Sequence, residues 1–242
     1  MLALAAGGTV TPVWRNGLGG LTFHLGDRYV KWSSTTDLRP EADRLAWASR
    51  WATVPRVAGH GTDDQGSWLL TEALPGLSAV DPRRPTPPEV AAATIGRGLR
   101  LLHDALPVEE CPFDWGVFGR LAQVDERIAG GMRPDDWWPE HRHLSVPEAR
   151  ALLAEPPEID WLVVCHGDAC VPNTLIGDDG SFTGHVDLGS LGVADRWADL
   201  TVAAWSTEWN FGPGYDGLVY EGYGIAPDPV RIAYYRLLWD LA

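Results

Sequence analysis

Residues 163–189, VVCHGDACVPNTLIGDDGSFTGHVDLG, set oxygen-bearing side chains on both arms of a short hairpin. The turn is Asp-Asp-Gly at 178–180, a sequence suited to tight reversal. It pairs residue 177 with about 181, and so 173 with about 185 or 186. Asn173 then lies across from the end of the returning strand, and Asp187 follows at once. Asp168 sits on the loop entering the hairpin, so the three side chains can converge. Amide and carboxylate oxygens suit Mg2+ and not zinc. Mg2+ keeps waters and binds through one or two carboxylates plus substrate phosphates, which would leave Asp168 free as a general base. Turn capping is the competing reading of all three, since Asp and Asn favour turns.

The first third of the chain supplies possible partners for such a site. GLGG at 17–20, with Gly19 and Gly20, reads as a turn between strands whose backbone N–H groups can approach a phosphate. No GK[ST] follows, so it is not a Walker motif. Tyr29 and Lys31 are two apart on one strand and share a face. An aromatic ring for a base would then sit beside an ammonium for phosphates. Glu41, at the start of the next helix, is a candidate partner for Lys31. In this order the parts match kinase-type phosphoryl transfer: a Gly-rich cover, a strand Lys with a helix Glu, an Asp base, and an Asn and Asp on Mg2+.

The elements that must position these residues are legible in outline. Residues 9–32 read as strands. Pro40 falls at a first helical position with Glu41 in the first turn, and Leu45, Trp47, Ala48 and Trp51 give that helix apolar positions. SWLLTEALPG at 67–76 is a strand running into a Pro-Gly break. The Pro-rich stretch 81–89 starts a helix with Ile95, Leu99 and Leu102 at helical spacing. DWLVVC at 160–165 is a buried strand, and VRIAYYRLLWDLA closes the chain as an amphipathic helix. The class is α+β in two lobes: a small β-rich lobe over 1–73 and a larger, mainly helical lobe over 74–242 containing the hairpin.

Composition narrows the partners. With 242 residues and 45% apolar content the chain can bury a real core. A net charge of −14 repels nucleic acid and anionic lipid and attracts cations. Cys111, Cys165 and Cys170 are an odd and sparse count that does not read as a disulfide framework. No apolar run reaches the ~18 residues of a membrane span. The expected setting is soluble and cytoplasmic, with no nucleic acid or membrane partner, as a monomer or weak dimer.

HGDACVPN followed by HVDLGSLGVADRWADL resembles the aminoglycoside phosphotransferases, in particular 3′-phosphotransferases of the kanamycin and neomycin type. YVK, EADRLAW, WLLTEALPG, CPFDW, PDDWWPEH and RIAYYRLLWDL fall in family order, so the likeness covers nearly the whole chain. The resemblance implies a protein-kinase-like two-lobed fold that uses ATP and Mg2+. It implies Asp168 as catalytic base, Asn173 and Asp187 as Mg2+ ligands, Lys31 on the ATP phosphates and Glu41 orienting it. Tyr29 would stack on adenine, and the backbone at Thr71–Ala73 would be the adenine hinge. Asp135, Asp136, Glu140 and Asp240 would hold ammonium groups of an aminoglycoside. Glu208, expected at the same substrate site, keeps the one carboxylate in WSTEWN, a stretch usually richer in Arg, Asp and Glu. Ser190 stands where relatives often have Arg, Arg133 where some have Asp, and NGLGG lacks a small hydroxyl residue.

Other readings remain open on the residues alone. Both His-x-Asp triplets, with His166 and His185 as ligands, would suit a binuclear metallohydrolase acting without ATP. His166 can instead prop its loop by hydrogen bonds, and His185 can be a surface or strand residue. A nucleotide-binding protein without catalysis is a third class, while within the kinase chemistry another small hydroxylated cation could be the substrate. Adjacent acids such as Asp135 and Asp136 can equally be solvated or cap a helix. The 13 Trp are mostly core, with Trp137, Trp138, Trp205 and Trp209 flanking the proposed substrate site, where a flat sugar face could rest.

Overall fold

The computed structural model describes residues 10–17, 19–83 and 85–242. The first lobe is a five-stranded antiparallel sheet in the order β1-β2-β3-β5-β4. Its strands are β1 (Val10–Arg15), β2 (Leu21–Leu25), β3 (Arg28–Ser33), β4 (Val57–Asp63) and β5 (Gly66–Glu72). In β3, alternation puts Val30 beside buried Leu70 on one face and Lys31 beside Leu69 on the other. Helix α1 (Arg39–Ala48) crosses from β3 to β4, with Pro40 in its first turn and Glu41, Ala42, Leu45, Trp47 and Ala48 buried. Trp51 lies just beyond its end.

Strand β4 has no counterpart in the sequence reading. VAGHGTD is polar, glycine-rich and an edge strand. Its glycines answer a packing demand, because a Cβ on Gly61 would come within 2.9 Å of the Trp68 ring. Such a strand shows little apolar alternation.

The chain leaves this sheet at Glu72, and the next strand, β6 (Leu77–Ser78), already pairs with the hairpin strand β8 (Thr174–Ile176). Strand β9 (Phe182–His185) completes a three-stranded sheet, β6-β8-β9. Strand β7 (Leu162–Cys165) pairs antiparallel with β10 (Gly192–Asp195). Helices α2 (Pro88–Ala105), α3 (Val117–Ala129), α4 (Val146–Leu153), α5 (Trp197–Phe211), α6 (Asp216–Tyr223) and α7 (Pro229–Leu241) form the rest. The hairpin register agrees with that expected: Gly177 N–H donates to Ser181 O at 2.8 Å, and Thr174 pairs with His185.

Helices α2 and α6 approach closely at glycines. A Cβ on Gly96 would strike the Val219 carbonyl, and one on Gly222 the Ala93 carbonyl. Helix α5 is buried at every position from Trp197 to Thr207. It therefore lacks the apolar stripe by which a surface helix is recognised, and the sequence reading does not resolve it. The second lobe's core gathers Ile95, Leu99, Trp197, Leu200 and Leu238. A second cluster joins the lobes, with Leu38, Leu45 and Leu69 packed on Leu102, Leu188 and Leu191. That cluster surrounds α1 and so fixes the helix bearing Glu41. Among the described residues no helix is long and apolar enough to cross a membrane.

Candidate active site

Strand β7 delivers the chain to His166, and the loop from there to Asn173 is held through its backbone N–H groups by side chains of α5. Asp199, in the first turn of α5, is fully buried. Its carboxylate accepts the N–H of His166 at 2.5 Å and of Gly167 at 2.9 Å. It also meets His103 Nε2 at 3.0 Å, and His103 Nδ1 lies 3.0 Å from Tyr223 Oη. Burial works to raise the Asp199 pKa, but the His103 hydrogen bond and the loop N–H groups hold it below the usual carboxylate range. Gly167 has φ +86°, and a Cβ there would strike the Ser190 carbonyl, so only glycine lets the loop lie this close to the turn before β10.

Both nitrogens of His166 are engaged. Nε2 donates to Val186 O at 2.9 Å, and Nδ1 accepts the Asp168 N–H at 3.3 Å. No lone pair is left for a metal, so His166 props the loop. His185 is buried in β9 and not on the surface. Burial, with neighbouring His166, pushes its pKa down to about 3, which keeps the ring neutral.

The Asp168 side chain is held from both sides. Asn173 Nδ2 donates to Asp168 O at 2.9 Å and approaches Oδ2 at 3.3 Å. The Cys170 thiol donates to Oδ1 at 3.0 Å. Burial and the Asp168 charge raise the Cys170 pKa well above its ordinary value, so the thiol stays protonated. Asn173 is tied to the returning strand through Val186 N–H, which donates to its carbonyl at 3.0 Å. Asp187 follows with φ +66°, unlike every other described non-glycine residue. This left-handed backbone carries a cost that the surrounding hairpin enforces.

Asp187 Oδ1 lies 2.8 Å from Lys31 Nζ, and Glu41 Oε1 lies 2.7 Å from the same atom. The Lys31–Glu41 pair expected from the sequence is therefore formed. Burial opposes the charge on Lys31, but the two carboxylates raise its pKa above the ordinary value. Burial likewise opposes ionisation of Asp187, and Lys31 draws its pKa down. Because Asn173 Nδ2 is engaged by Asp168, the amide oxygen is the atom left for a cation. That oxygen and the Asp187 carboxylate form a hard donor set, which fits Mg2+.

Two cavities meet at these residues. The first, about 350 Å3, lies between the lobes and is lined by Trp14, Tyr29, Lys31, Thr71, Asn173 and Asp187, among others. Glu41 lines it too. Three residues expected at the nucleotide are absent from this lining. Ala73 N–H donates to Asp27 O at 2.8 Å. Gly19 N–H donates to Asn16 O at 3.0 Å, and Gly20 N–H to Asn16 Oδ1 at 2.7 Å. The Asn16 amide thus caps the turn that Gly19 and Gly20 make, while Leu18 lies outside the described residues. None of these three lines the cavity.

The second cavity contains Asp168, Gly167 and Ser190 together with Asp136, Asp240, Trp138 and Trp239. Five acids were expected here, and the structure separates them. Asp136 lines the cavity, and its carboxylate accepts the Arg133 N–H at 2.9 Å. Asp135, beside it, is exposed and does not line the cavity. Asp240 is buried and lines the cavity, with Oδ2 taking Trp138 N–H at 3.0 Å and facing His141 Nδ1 at 2.7 Å. Glu140 and Glu208 converge instead on Arg236, at 3.1 and 3.4 Å. Of the four tryptophans expected to flank the substrate site, Trp137 and Trp138 line the cavity, whereas Trp205 and Trp209 do not line it and pack against Trp138, and Trp239 joins them.

Sequence reasoning did not find Asp199, His103, Tyr223 or Arg236. Asp199 lies inside the quoted block ending WADL, but nothing in its spacing connects it to the loop after β7. His103 and Tyr223 come from α2 and α6, whose glycine-mediated approach only the fold reveals.

Comparison with known proteins accords with this geometry. The model of the phosphotransferase enzyme family APH matches residues 15–235. The chain is 40% identical over 219 residues to an aminoglycoside 3′-phosphotransferase of Streptomyces fradiae, covering 85% of this chain and 80% of that one. It is 33% identical to the streptomycin 3″-kinase of Streptomyces griseus, covering 95% and 90%. Among solved structures it is similar to the aminoglycoside phosphotransferase APH(3″)-Id of Streptomyces rimosus, with TM-score 0.80, 29% identity, and 99% and 95% of the chains covered. That relative has also been solved with ADP and streptomycin. Family model, relatives and fold agree: the chain belongs to the aminoglycoside phosphotransferases, within the phosphotransferase enzyme family.

Proposed function

We propose that this enzyme transfers the γ-phosphoryl group of ATP, with Mg2+, to the 3′-hydroxyl of an aminoglycoside, with Asp168 as base. One observation carries the reading. Asn173 lines the cavity between the lobes, Asp168 lines the second cavity, and the two side chains meet at 3.3 Å. A phosphate in the first cavity and a hydroxyl in the second would face each other across that contact.

The chain's residues divide the work. Lys31 acts as a point charge on phosphate oxygens, and its ammonium is aimed by Glu41 and Asp187. Asn173 and Asp187 would hold Mg2+, which neutralises charge on the phosphates when bound. Tyr29 and the backbone near Thr71 would border the base. Asp168, oriented by Asn173 and Cys170, accepts the proton of the attacking hydroxyl. The division after Ala73 then separates a nucleotide lobe, 1–73, from an acceptor lobe, 74–242. The assignment to a 3′-hydroxyl is supported by the 40% identical relative being a 3′-phosphotransferase.

The test is direct. ATP, Mg2+ and kanamycin, neomycin or streptomycin are incubated with the protein, and drug-dependent ADP release is followed. Phosphorus NMR of the product locates the ester. Asp168→Asn should lower turnover by ~10²–10⁴-fold with ATP binding retained. Near-normal turnover by that variant would overturn the base assignment, and an ester at another position would overturn the 3′ assignment.

A further inference from the structure

The carboxylates of the second cavity are already engaged, and cations share its wall. Arg120, Arg127 and Arg142 line it as well as Asp136, Asp168 and Asp240. Asp240 is already hydrogen-bonded, and Glu140 and Glu208 are drawn to Arg236. An ammonium leaving water needs carboxylates that are free to replace its hydration. What the wall offers instead is aromatic surface. Trp138 and Trp209 are stacked with centroids 4.7 Å apart and planes at 18°, and Trp209 and Trp239 at 5.8 Å and 22°. Trp205 packs edge-on behind them and carries the Arg236 guanidinium at 5.3 Å. Trp138 remains 37% exposed although two indole rings pack on it and Asp240 holds its backbone N–H, and it lines the same cavity as Asp168.

We propose that Trp138 and Trp239 are specificity-determining residues of the acceptor site. Each offers an indole face on which a ring of the aminoglycoside stacks, and Arg236 competes for Glu140 and Glu208. The ring C–H face of a sugar or cyclitol carries partial positive charge, which complements the negative face of an indole. Stacking is made equally in the ground and transition states, so its loss appears in KM and not in kcat. The inference rests on reading the second cavity as the acceptor site.

The experiment measures KM for kanamycin and for ATP, and kcat, in the full-length enzyme and in Trp138→Ala, Trp239→Ala, Trp138→Phe, Glu140→Gln and Glu208→Gln. The two alanine variants should raise the kanamycin KM ~10-fold, with kcat and the ATP KM held within ~2-fold. Trp138→Phe keeps a π face and should recover most of the loss. The glutamine variants should shift the kanamycin KM by less than ~2-fold, since their carboxylates face Arg236. An unchanged kanamycin KM in both alanine variants overturns the proposal, as does a loss in the glutamine variants equal to theirs. Equal loss for kanamycin and ATP in Trp138→Ala and Trp138→Phe alike also overturns it, because the tryptophan would then be supporting the fold. Failure of the wild-type enzyme to phosphorylate any aminoglycoside removes the functional reading itself, whereas wild-type turnover with insensitive tryptophans removes only this inference.

Discussion

The Asp199 carboxylate accepts the Gly167 N–H at 2.9 Å, so the loop bearing Asp168 hangs from a buried acid at the start of α5. The second oxygen serves His166 N–H and His103 Nε2 together. One side chain thus sets the backbone on which the proposed base stands. It sits where the positive end of the helix favours a carboxylate.

Asp199→Asn keeps the shape and one acceptor but replaces the other with an N–H₂ facing donors. The expected result is a fall in kcat of ~10- to 100-fold through misplacement of Asp168, with both KM values little changed. Steady-state kinetics with a thermal-melting control checks it. A variant with wild-type kcat would show that the loop holds its geometry without this carboxylate.

How much of this was legible beforehand depends on sequence distance. Asn173, Asp187 and the hairpin register follow from an Asp-Asp-Gly turn and period-2 counting, because a tight turn fixes its own pairing. The Lys31–Glu41 pair was legible because a strand leads directly into a helix with Pro40 and Glu41 at its start. Asp199 was not legible, since its partners lie on a loop preceding the hairpin and on α2. The pairing of Glu140 and Glu208 with Arg236 was hidden for the same reason: Arg236, on α7, reaches both only in the folded chain. The turn at Gly19 and Gly20 was found, but no spacing rule reveals that the Asn16 side chain takes the Gly20 N–H.

Lys31 and Asp187 are joined at 2.8 Å but should fail differently. Lys31→Met keeps the apolar stem and removes the charge, so the KM for ATP should rise ~10-fold or more while the fold persists. It also leaves Glu41 and Asp187 without their cation. Asp187→Ala removes a proposed Mg2+ ligand, so activity and the response to added Mg2+ should vanish together. Titrating Mg2+ against both variants separates them. An Asp187→Ala enzyme that regains activity at high Mg2+ would still carry its principal ligand elsewhere.

His185 gives a signature in stability and not in rate. It is buried against His166 and Phe182, with ring centroids 5.4 and 4.8 Å away. Burial lowers its pKa from 6.5 to about 3. A histidine in the unfolded chain takes up a proton near pH 6.5, while the folded one does not until the pH is far lower. Between those values the unfolded state binds more protons, so stability rises with pH and is lost as pH falls. The largest slope is ~1.4 kcal/mol per pH unit for one proton. Asp187 and Asp199, whose pKa values are lowered from 3.8, lose their contributions only below about that pH, so they do not obscure the window above it. Urea unfolding at pH 6.5, 5.5 and 4.5 should therefore show the wild type weakening faster than His185→Gln, with the difference in slope approaching that of one proton. Parallel lines for the two proteins would mean that His185 takes up its proton in the folded state, and that the ring is far better solvated than its burial in β9 implies.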